Sequence, residues 1–237
     1  MIQTEGIFVG GSAISAPIIG EDFNWSGSDG TYQVLDDGGG NWRIKFLSSG
    51  TFTPLKNMVI DAFLVGGGGG AGSSYCGEGG AGYTTTVRSV VLTANTAYSI
   101  VVGAAGTNGN PSSAGGETTA FTASAAGGKN TSNGTSSSKR PGGAGGSGGA
   151  GYVSPVATTT GGTDGGDGTS SATTGGKGQG TTTREFGEAD GTLYASGGGS
   201  NLTATVSNSG NGGRNGITSI EPADGIVVIR QHKEVAA

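Results

Sequence analysis

The chain has 237 residues, of which 54 are glycine and 12% are charged, and its formal net charge is −5. The absence of a basic run, and of any apolar stretch near the ~20 residues that span a bilayer, argues against nucleic acid and membranes as partners. The single cysteine, Cys76, excludes an intrachain disulfide and a cysteine-based metal cluster.

Residues 1–40 contain short apolar pieces and end in the stretch DDGGG (36–40), which is typical of a flexible boundary. The first residues show neither a basic region nor a long apolar stretch, so we expect no secretory signal. We predict that residues 1–40 form an attachment or oligomerisation segment. An additional edge strand of the following domain is the alternative.

Strand patterns dominate the predicted domain, residues 41–237. In 41–47 apolar and polar residues alternate, and 58–65 is apolar on both faces, as expected of a central strand covered on both sides. Further strands are predicted at 83–92 and 98–102, joined by a hairpin turn at 93–96, and at 117–123 and 225–230. Because the last strand is strongly apolar, we expect it to pair with the early strands. The glycine-rich middle, about 127–216, is then an insertion in one all-β sandwich.

Glycine occurs in blocks, with ten glycines among residues 66–82 and seven among 142–151. Glycine loses the most backbone entropy on folding, so such blocks are either disordered or held in an arrangement that only glycine can enter. Side-by-side polyglycine helices, with three residues per turn, would satisfy the backbone groups if no Cβ intervened. The strand pattern around the blocks favours this ordered arrangement.

Six segments together resemble the glycine-rich domain of phage and prophage tail proteins: NWRIKFLSSGTFTP (41–54), IDAFLVGGGGGAG (60–72), GAGYTTTVRSVVL (80–92), YSIVVGAAG (98–106), TREFGEADGTLYASGGG (183–199) and DGIVVIR (224–230). The layout is also similar to the glycine-rich domain of anaplastic lymphoma kinase and to the polyglycine-sandwich adhesins of T-even phages. The resemblance implies a jelly-roll-like (tumour-necrosis-factor-like) sandwich with an inserted bundle of polyglycine II helices. It also implies a tail protein of a phage or prophage particle, made in the bacterial cytoplasm and assembled as a trimer.

Aromatic and cationic residues that interrupt the glycine blocks are the predicted receptor contacts. Rigid aromatic residues flanked by small ones are typical of recognition loops, and tyrosine rings stack on sugars. The candidates are Tyr75, Lys139, Arg140, Tyr152, Arg184 and Phe186. For Tyr75 and Tyr152 a packing role is the alternative, and for Tyr194 packing against the sandwich is favoured.

The predicted function is therefore recognition of a bacterial surface receptor, a glycan or a protein, with residues 1–40 binding other tail proteins. One alternative is a structural spacer without a ligand. Another is ice binding through threonines 84–86, 158–160 and 181–183.

We expect no enzyme, cofactor or metal site. The G-x-S-x-G match at 145–149 lacks its strand–turn–helix context, and the single histidine, His232, follows the last strand. The spacing of Asp164 and Asp167 fits neither an EF-hand nor a calcium-binding nonapeptide repeat.

Overall fold

The computed structural model describes residues 22–27, 31–38, 40–134, 141–151, 183–199, 206–214 and 220–231. Within these residues ten strands form two antiparallel sheets, and one short 3₁₀ turn occurs at Glu185–Gly187. The strands are β1 (Phe23–Gly27), β2 (Tyr32–Gly38), β3 (Asn41–Phe46), β4 (Gly50–Pro54), β5 (Met58–Val65), β6 (Thr84–Leu92), β7 (Tyr98–Val101), β8 (Thr118–Ala120), β9 (Ala123–Ala125) and β10 (Ile226–Gln231).

One sheet has the order β1-β4-β7-β8-β9 and the other β2-β3-β10-β5-β6. The last strand, β10, lies between β3 and β5: Val227 faces Phe46 on one side and Leu64 on the other. The prediction that the last strand pairs with the early strands is confirmed. Its run of four apolar residues is explained by this central position, because all four are buried.

The two sheets face each other across an apolar core, and the fold is therefore a β-sandwich. Phe52 of the first sheet packs edge-on against Phe46 of the second, with ring centroids 5.6 Å apart. The other buried members are Phe23, Ile44, Ile60, Ala62, Leu64, Leu92, Ile100, Ala120, Phe121, Ala125, Val227 and Ile229.

The prediction that 58–65 is covered on both faces is also confirmed. Ile60, Ala62 and Leu64 point into the sandwich core, whereas Phe63 and Val65 belong to a second buried cluster on the outer face of the sheet. That outer face is covered by residues 183–195, which we call the cover segment.

The region 1–40 contributes two strands to the sandwich. β1 pairs with β4 and β2 pairs with β3, each at the edge of its sheet. Asp36, Asp37 and Gly38 of the stretch predicted as a flexible boundary instead end strand β2, where Asp37 forms an ion pair of 2.8 Å with Arg43 of β3. The alternative of an edge strand therefore describes residues 23–27 and 32–38, and residues 1–21 lie outside the described residues.

The predicted hairpin at 93–96 is wrong. A turn does occur there, with the N–H of Thr96 donating to the carbonyl of Thr93, but β6 and β7 lie in different sheets. The turn thus carries the chain from one sheet to the other. The predicted strand 117–123 divides into β8 and β9, because Phe121 and Thr122 adopt left-handed conformations between them.

Beyond one end of the sandwich the glycine-rich segments pack into a hydrogen-bonded array, which we call the glycine lattice. Three strand connections contribute to it: β5 to β6, β7 to β8, and β9 to β10. The lattice is therefore not confined to the predicted insertion at about 127–216. Its segments are residues 66–72, 77–83, 103–109, 113–116, 126–131, 143–151, 195–199, 210–214 and 220–225.

The hydrogen bonds of the segment 66–72 rotate with a period of three residues. The N–H groups of Gly66 and Gly69 donate to one neighbouring segment, those of Gly67 and Gly70 to a second, and that of Gly68 to a third, at 2.8–3.0 Å. The three acceptor segments are 77–83, 113–116 and 220–225. The carbonyls of the same segment accept, in rotation, from 126–131, 103–109 and 210–213. Six different segments thus surround this one, and its backbone groups are satisfied without strand pairing.

This close packing leaves no room for a side chain at most of the lattice glycines. A Cβ on Gly68 would lie 2.5 Å from the carbonyl carbon of Asn211, and one on Gly80 would lie 2.6 Å from that of Ala144. The glycine blocks at 66–82 and 142–151 are therefore an ordered arrangement that requires glycine, as the strand pattern predicted.

Candidate functional site

The lattice has a proximal end on the sandwich and a distal end away from it. Segment 66–72 leaves the sandwich after β5, and 77–83 returns to β6, with Gly66 bonded to Tyr83 near the sandwich and Gly69 to Gly80 further out. The turn 73–76 therefore lies at the distal end. The same hydrogen-bond register places further parts of the chain at the distal end. They are the turns 107–113 and 131–134 and the residues at positions 141, 151, 199, 214 and 220.

Tyr75 stands on the distal turn 73–76 with 46% of its surface exposed. Its backbone is left-handed, with φ of 48°, which is uncommon for a residue other than glycine. The turn is fixed on both sides: the N–H of Ser73 donates to the side chain of Asn133 at 2.6 Å, and the Cys76 thiol donates to the carbonyl of Gly72 at 2.9 Å. The structure thus presents Tyr75 as an exposed aromatic side chain on a well-anchored turn.

Three asparagines link the distal turns, a role that no sequence pattern indicated. Asn108 accepts from the N–H of Ala71 and donates to the carbonyl of Ile220, which joins three segments. Asn130 donates to the carbonyl of Ser112. Asn133 accepts from Ser73 and donates to its hydroxyl. Because asparagine offers both a donor and an acceptor, it can connect turns that have no regular secondary structure.

Three predicted contacts, Lys139, Arg140 and Tyr152, lie outside the described residues. The residues next to them are described and occupy the distal end. The carbonyl oxygen of Pro141 lies against Gly77, directly after the Tyr75 turn, and Ala150 accepts from the N–H of Glu78 at 2.7 Å.

The structure does not bring Arg184 and Phe186 to the distal end, because both belong to the cover segment on the sandwich. Phe186 is 2% exposed, and its ring centroid lies 6.2 Å from that of Phe63. Arg184 donates to the carbonyl of Gly191 at 2.9 Å within the cover segment. Tyr194 is buried too, 5.5 Å from Phe63, which agrees with the favoured packing role.

Buried charges hold the cover segment against the sheet. The Glu185 carboxylate, 2% exposed, accepts from Arg43 at 2.6 Å and lies 3.4 Å from the Lys45 amine. The guanidinium of Arg230 stacks over the Phe186 ring, with its carbon 4.1 Å from the centroid. These pairs give the cover segment a fixed position, which agrees with a structural role.

Asp61 is fully buried in the central strand β5 and is paired on two sides. Its carboxylate accepts from Arg88 at 3.1 Å and from Arg230 at 3.2 Å, and it also accepts from the N–H of Ser89. A buried carboxylate is tolerated only when it is paired in this way.

Three titratable groups of the described residues have shifted pKa values. Burial, together with the nearby Glu78 carboxylate, raises the pKa of the Cys76 thiol to about 11. Burial and the neighbouring Glu185 carboxylate raise the pKa of Tyr194 above its usual range. Hydrogen bonds to Asp37 and Glu185 raise the pKa of Arg43. Each shift favours the protonated form, so Cys76 is a thiol and not a thiolate near neutral pH.

Other candidate chemistries can be compared with the described part of the chain. Within it no group of three or more His, Cys, Asp or Glu residues is placed to hold a metal ion. Ser147, the serine of the G-x-S-x-G match, is fully buried and donates to the carbonyl of Ala195. The hydroxyl of Thr85, one of the threonines considered for ice binding, donates to the carbonyl of Ser124. Among the described residues no helix is long and apolar enough to cross a membrane.

Two antiparallel sheets around one core, with a lattice that requires glycine, define an all-β glycine-rich domain. The chain belongs to the family described as the glycine-rich domain, whose sequence model matches residues 47–230. No curated protein sequence matches the chain.

Proposed function

We propose that this chain is a tail-fibre or tail-tip protein of a phage or prophage particle that recognises a receptor on the bacterial surface. The receptor contacts lie on the distal end of the glycine lattice. The observation that carries the proposal is the exposed side chain of Tyr75 on its anchored turn. This turn lies at the distal end, where several segments of the lattice end and the chain continues into turns. Such an arrangement holds the bases of loops fixed while their sequences vary.

The distal end suits a glycan or protein surface because it combines an exposed aromatic ring with small polar residues. Asparagine and serine offer adaptable hydrogen bonds, and a tyrosine face stacks on a sugar ring. Within our proposal Lys139, Arg140 and Tyr152 extend this surface, since Pro141 and Ala150 beside them occupy the distal end. Arg184 and Phe186 are left out, because Arg184 bonds within the cover segment and Phe186 packs on the outer face of the sheet.

We further propose that the lattice consists of polyglycine II helices and that the sandwich is a jelly roll. A period of three residues in the hydrogen bonds, with six neighbours around one segment, is what packed helices of three residues per turn would produce. The central position of β10 beside β3 supports the jelly roll, because it brings early and late strands together. The resemblance to tail proteins supports a trimer, which the mass of the purified protein measured by light scattering would test.

Binding of the fluorescently labelled full chain to a panel of bacterial strains tests the proposal. We expect Tyr75→Ala to reduce binding by about tenfold or more if the ring fills a central contact. Tyr75→Phe should keep most of the binding, because stacking needs the ring and not the hydroxyl. Val101→Ala is the matched control, since Val101 is 41% exposed on the sandwich, away from the distal end.

The outcomes separate the candidate functions. Binding to some strains that Tyr75→Ala reduces and Val101→Ala does not would support recognition by the distal end. Binding that neither substitution changes would contradict the assignment of Tyr75. The alternative, a structural spacer, would be favoured if the chain bound to none of the strains on which the phage or prophage particle can be propagated.

A further inference from the structure

A small polar groove lies at the distal end of the glycine lattice, beside the turn that carries Tyr75. It has a volume of about 270 Å³ and is lined by residues 129–132 and 141–144. Thr131 joins the groove to that turn, because its hydroxyl donates to the carbonyl of Gly77 at 2.5 Å and accepts from the N–H of Gly72 at 3.1 Å. The groove therefore has a fixed position next to the exposed aromatic ring.

The groove carries a positive charge that the protein does not neutralise. Lys129 lines it and is exposed, and within the described residues its ammonium group has neither an ion pair nor a hydrogen bond. In the described sandwich, by contrast, the five lysines and arginines are all ion-paired. The Glu78 carboxylate, on a neighbouring lattice segment, is buried and does not line the groove.

Backbone donors in the groove wall also lack acceptors. Gly142 is buried, yet no described residue accepts from its N–H, and the same is true of the N–H of Asn130. Because buried N–H groups in native proteins are nearly always paired, an unpaired one in a groove indicates a bound water molecule or a ligand group. The ammonium and these N–H groups together suit an anionic acceptor.

We propose that this groove binds the acidic group of a receptor glycan, a carboxylate or a phosphate carried by one sugar unit. The inference rests on the proposed function and adds the chemical class of the receptor. The volume lies below the ~300–1,000 Å³ of pockets that hold drug-sized ligands, so the groove takes a single sugar unit. The neighbouring sugar then stacks on the Tyr75 ring.

Binding of the labelled full chain to a bacterial strain that it recognises tests the inference. Lys129→Gln removes the charge and leaves the backbone hydrogen bonds of the lattice in place. Lys56→Gln is the matched control, since the Lys56 side chain is 59% exposed but lies on the sandwich. We expect Lys129→Gln to weaken binding about tenfold or more, and Lys56→Gln to leave it unchanged. The difference between wild type and Lys129→Gln should shrink as the salt concentration rises.

Chemical treatment of the cells identifies the acidic group. Carbodiimide with ethanolamine converts surface carboxylates to neutral amides, and cold hydrofluoric acid removes phosphates. The treatment that removes the receptor's acidic group should lower wild-type binding to the level of Lys129→Gln. The same treatment should leave binding of the Lys129→Gln variant unchanged, because that variant no longer senses the charge.

The possible failures are distinguishable. If Lys129→Gln bound like the wild type while Tyr75→Ala bound weakly, the proposed function would stand and the acidic-glycan site would be wrong. Wild-type binding that neither treatment lowered would also overturn the site. Loss of the Lys129 effect after protease digestion of the cell surface would assign the groove to a protein and not to a glycan. Absence of wild-type binding to every strain would contradict the proposed function, and this inference with it.

Discussion

Replacing Gly68 by alanine is the most direct perturbation of the glycine lattice. Gly68 lies in the segment that has six neighbouring segments, and an added Cβ would meet the backbone of Asn211. That Cβ would lie 2.5 Å from the carbonyl carbon and closer still to the oxygen. Since these atoms belong to the backbone of a packed segment, no side chain can rotate away to make room.

The expected loss of stability follows from the hydrogen bonds around this position. Gly68 donates to Ala223 and accepts from Gly106, and the carbonyl of Asn211 accepts from Ala223. Separating these segments disrupts three bonds at ~1 kcal/mol each, to which overpacking adds ~1–3 kcal/mol. The total of about 4–6 kcal/mol is comparable with the whole stability of an ordinary domain, ~5–15 kcal/mol.

Urea unfolding, monitored by tryptophan fluorescence, measures the loss of stability. Hydrogen exchange of the amides of residues 66–70 measures the local loss of hydrogen bonds. Gly40→Ala is the control, because Gly40 has open space around its Cβ position and a φ of +80°. Alanine there costs only the left-handed strain of ~1–2 kcal/mol. If Gly68→Ala destabilised no more than Gly40→Ala, or left exchange at 66–70 unchanged, the steric explanation of the lattice would be refuted.

Three further predictions concern the buried groups. Asp61→Ala should destabilise by ~3–5 kcal/mol, because it leaves the buried guanidinium of Arg230 without its buried carboxylate partner. Asp22→Ala, at a partly exposed ion pair, should cost less than about 1 kcal/mol in the same urea titration. Phe186→Ala should lower stability by ~3–5 kcal/mol through loss of the cluster on β5, whereas Tyr75→Ala at the exposed turn should leave the unfolding midpoint nearly unchanged. The alkylation rate of Cys76 should keep rising through pH 9 towards its pKa of about 11, and a plateau near pH 9 would contradict the burial of that thiol.

The strands were predictable where the pattern is local and strongly apolar. Strand β5 has apolar residues on both faces, and this alone indicated that two layers would cover it. Strand β10 was predicted to pair with the early strands for the same reason. The turn at 93–96 was not, because a hairpin and a passage between sheets have similar sequences and differ only in which distant strands pair.

The candidate site was predictable in part. The position of Tyr75 between two glycine blocks indicated an exposed turn, and the structure places it in one. The same reasoning applied to Phe186, but its ring is buried because Phe63, far away in the sequence, needs a cover. A usable signal was present in Asp61: a carboxylate inside a buried strand requires cationic partners, and Arg88 and Arg230 both lie in strands. The linking role of Asn108 depends on three remote segments, so no local pattern could reveal it.

The interleaving of early and late segments has a consequence for synthesis on the ribosome. Gly68 is bonded to Ala223, and Gly69 to Gly213, more than 140 residues further along the chain. Strand β10 in turn occupies the middle of its sheet. The lattice therefore cannot be completed until residue 223 has been made, and the sheet that contains β10 cannot be completed until residues 226–231 have been made. Contacts of such long sequence separation form slowly. We expect this domain to fold only after its last strand has left the ribosome, with its early glycine segments exposed to solvent until then.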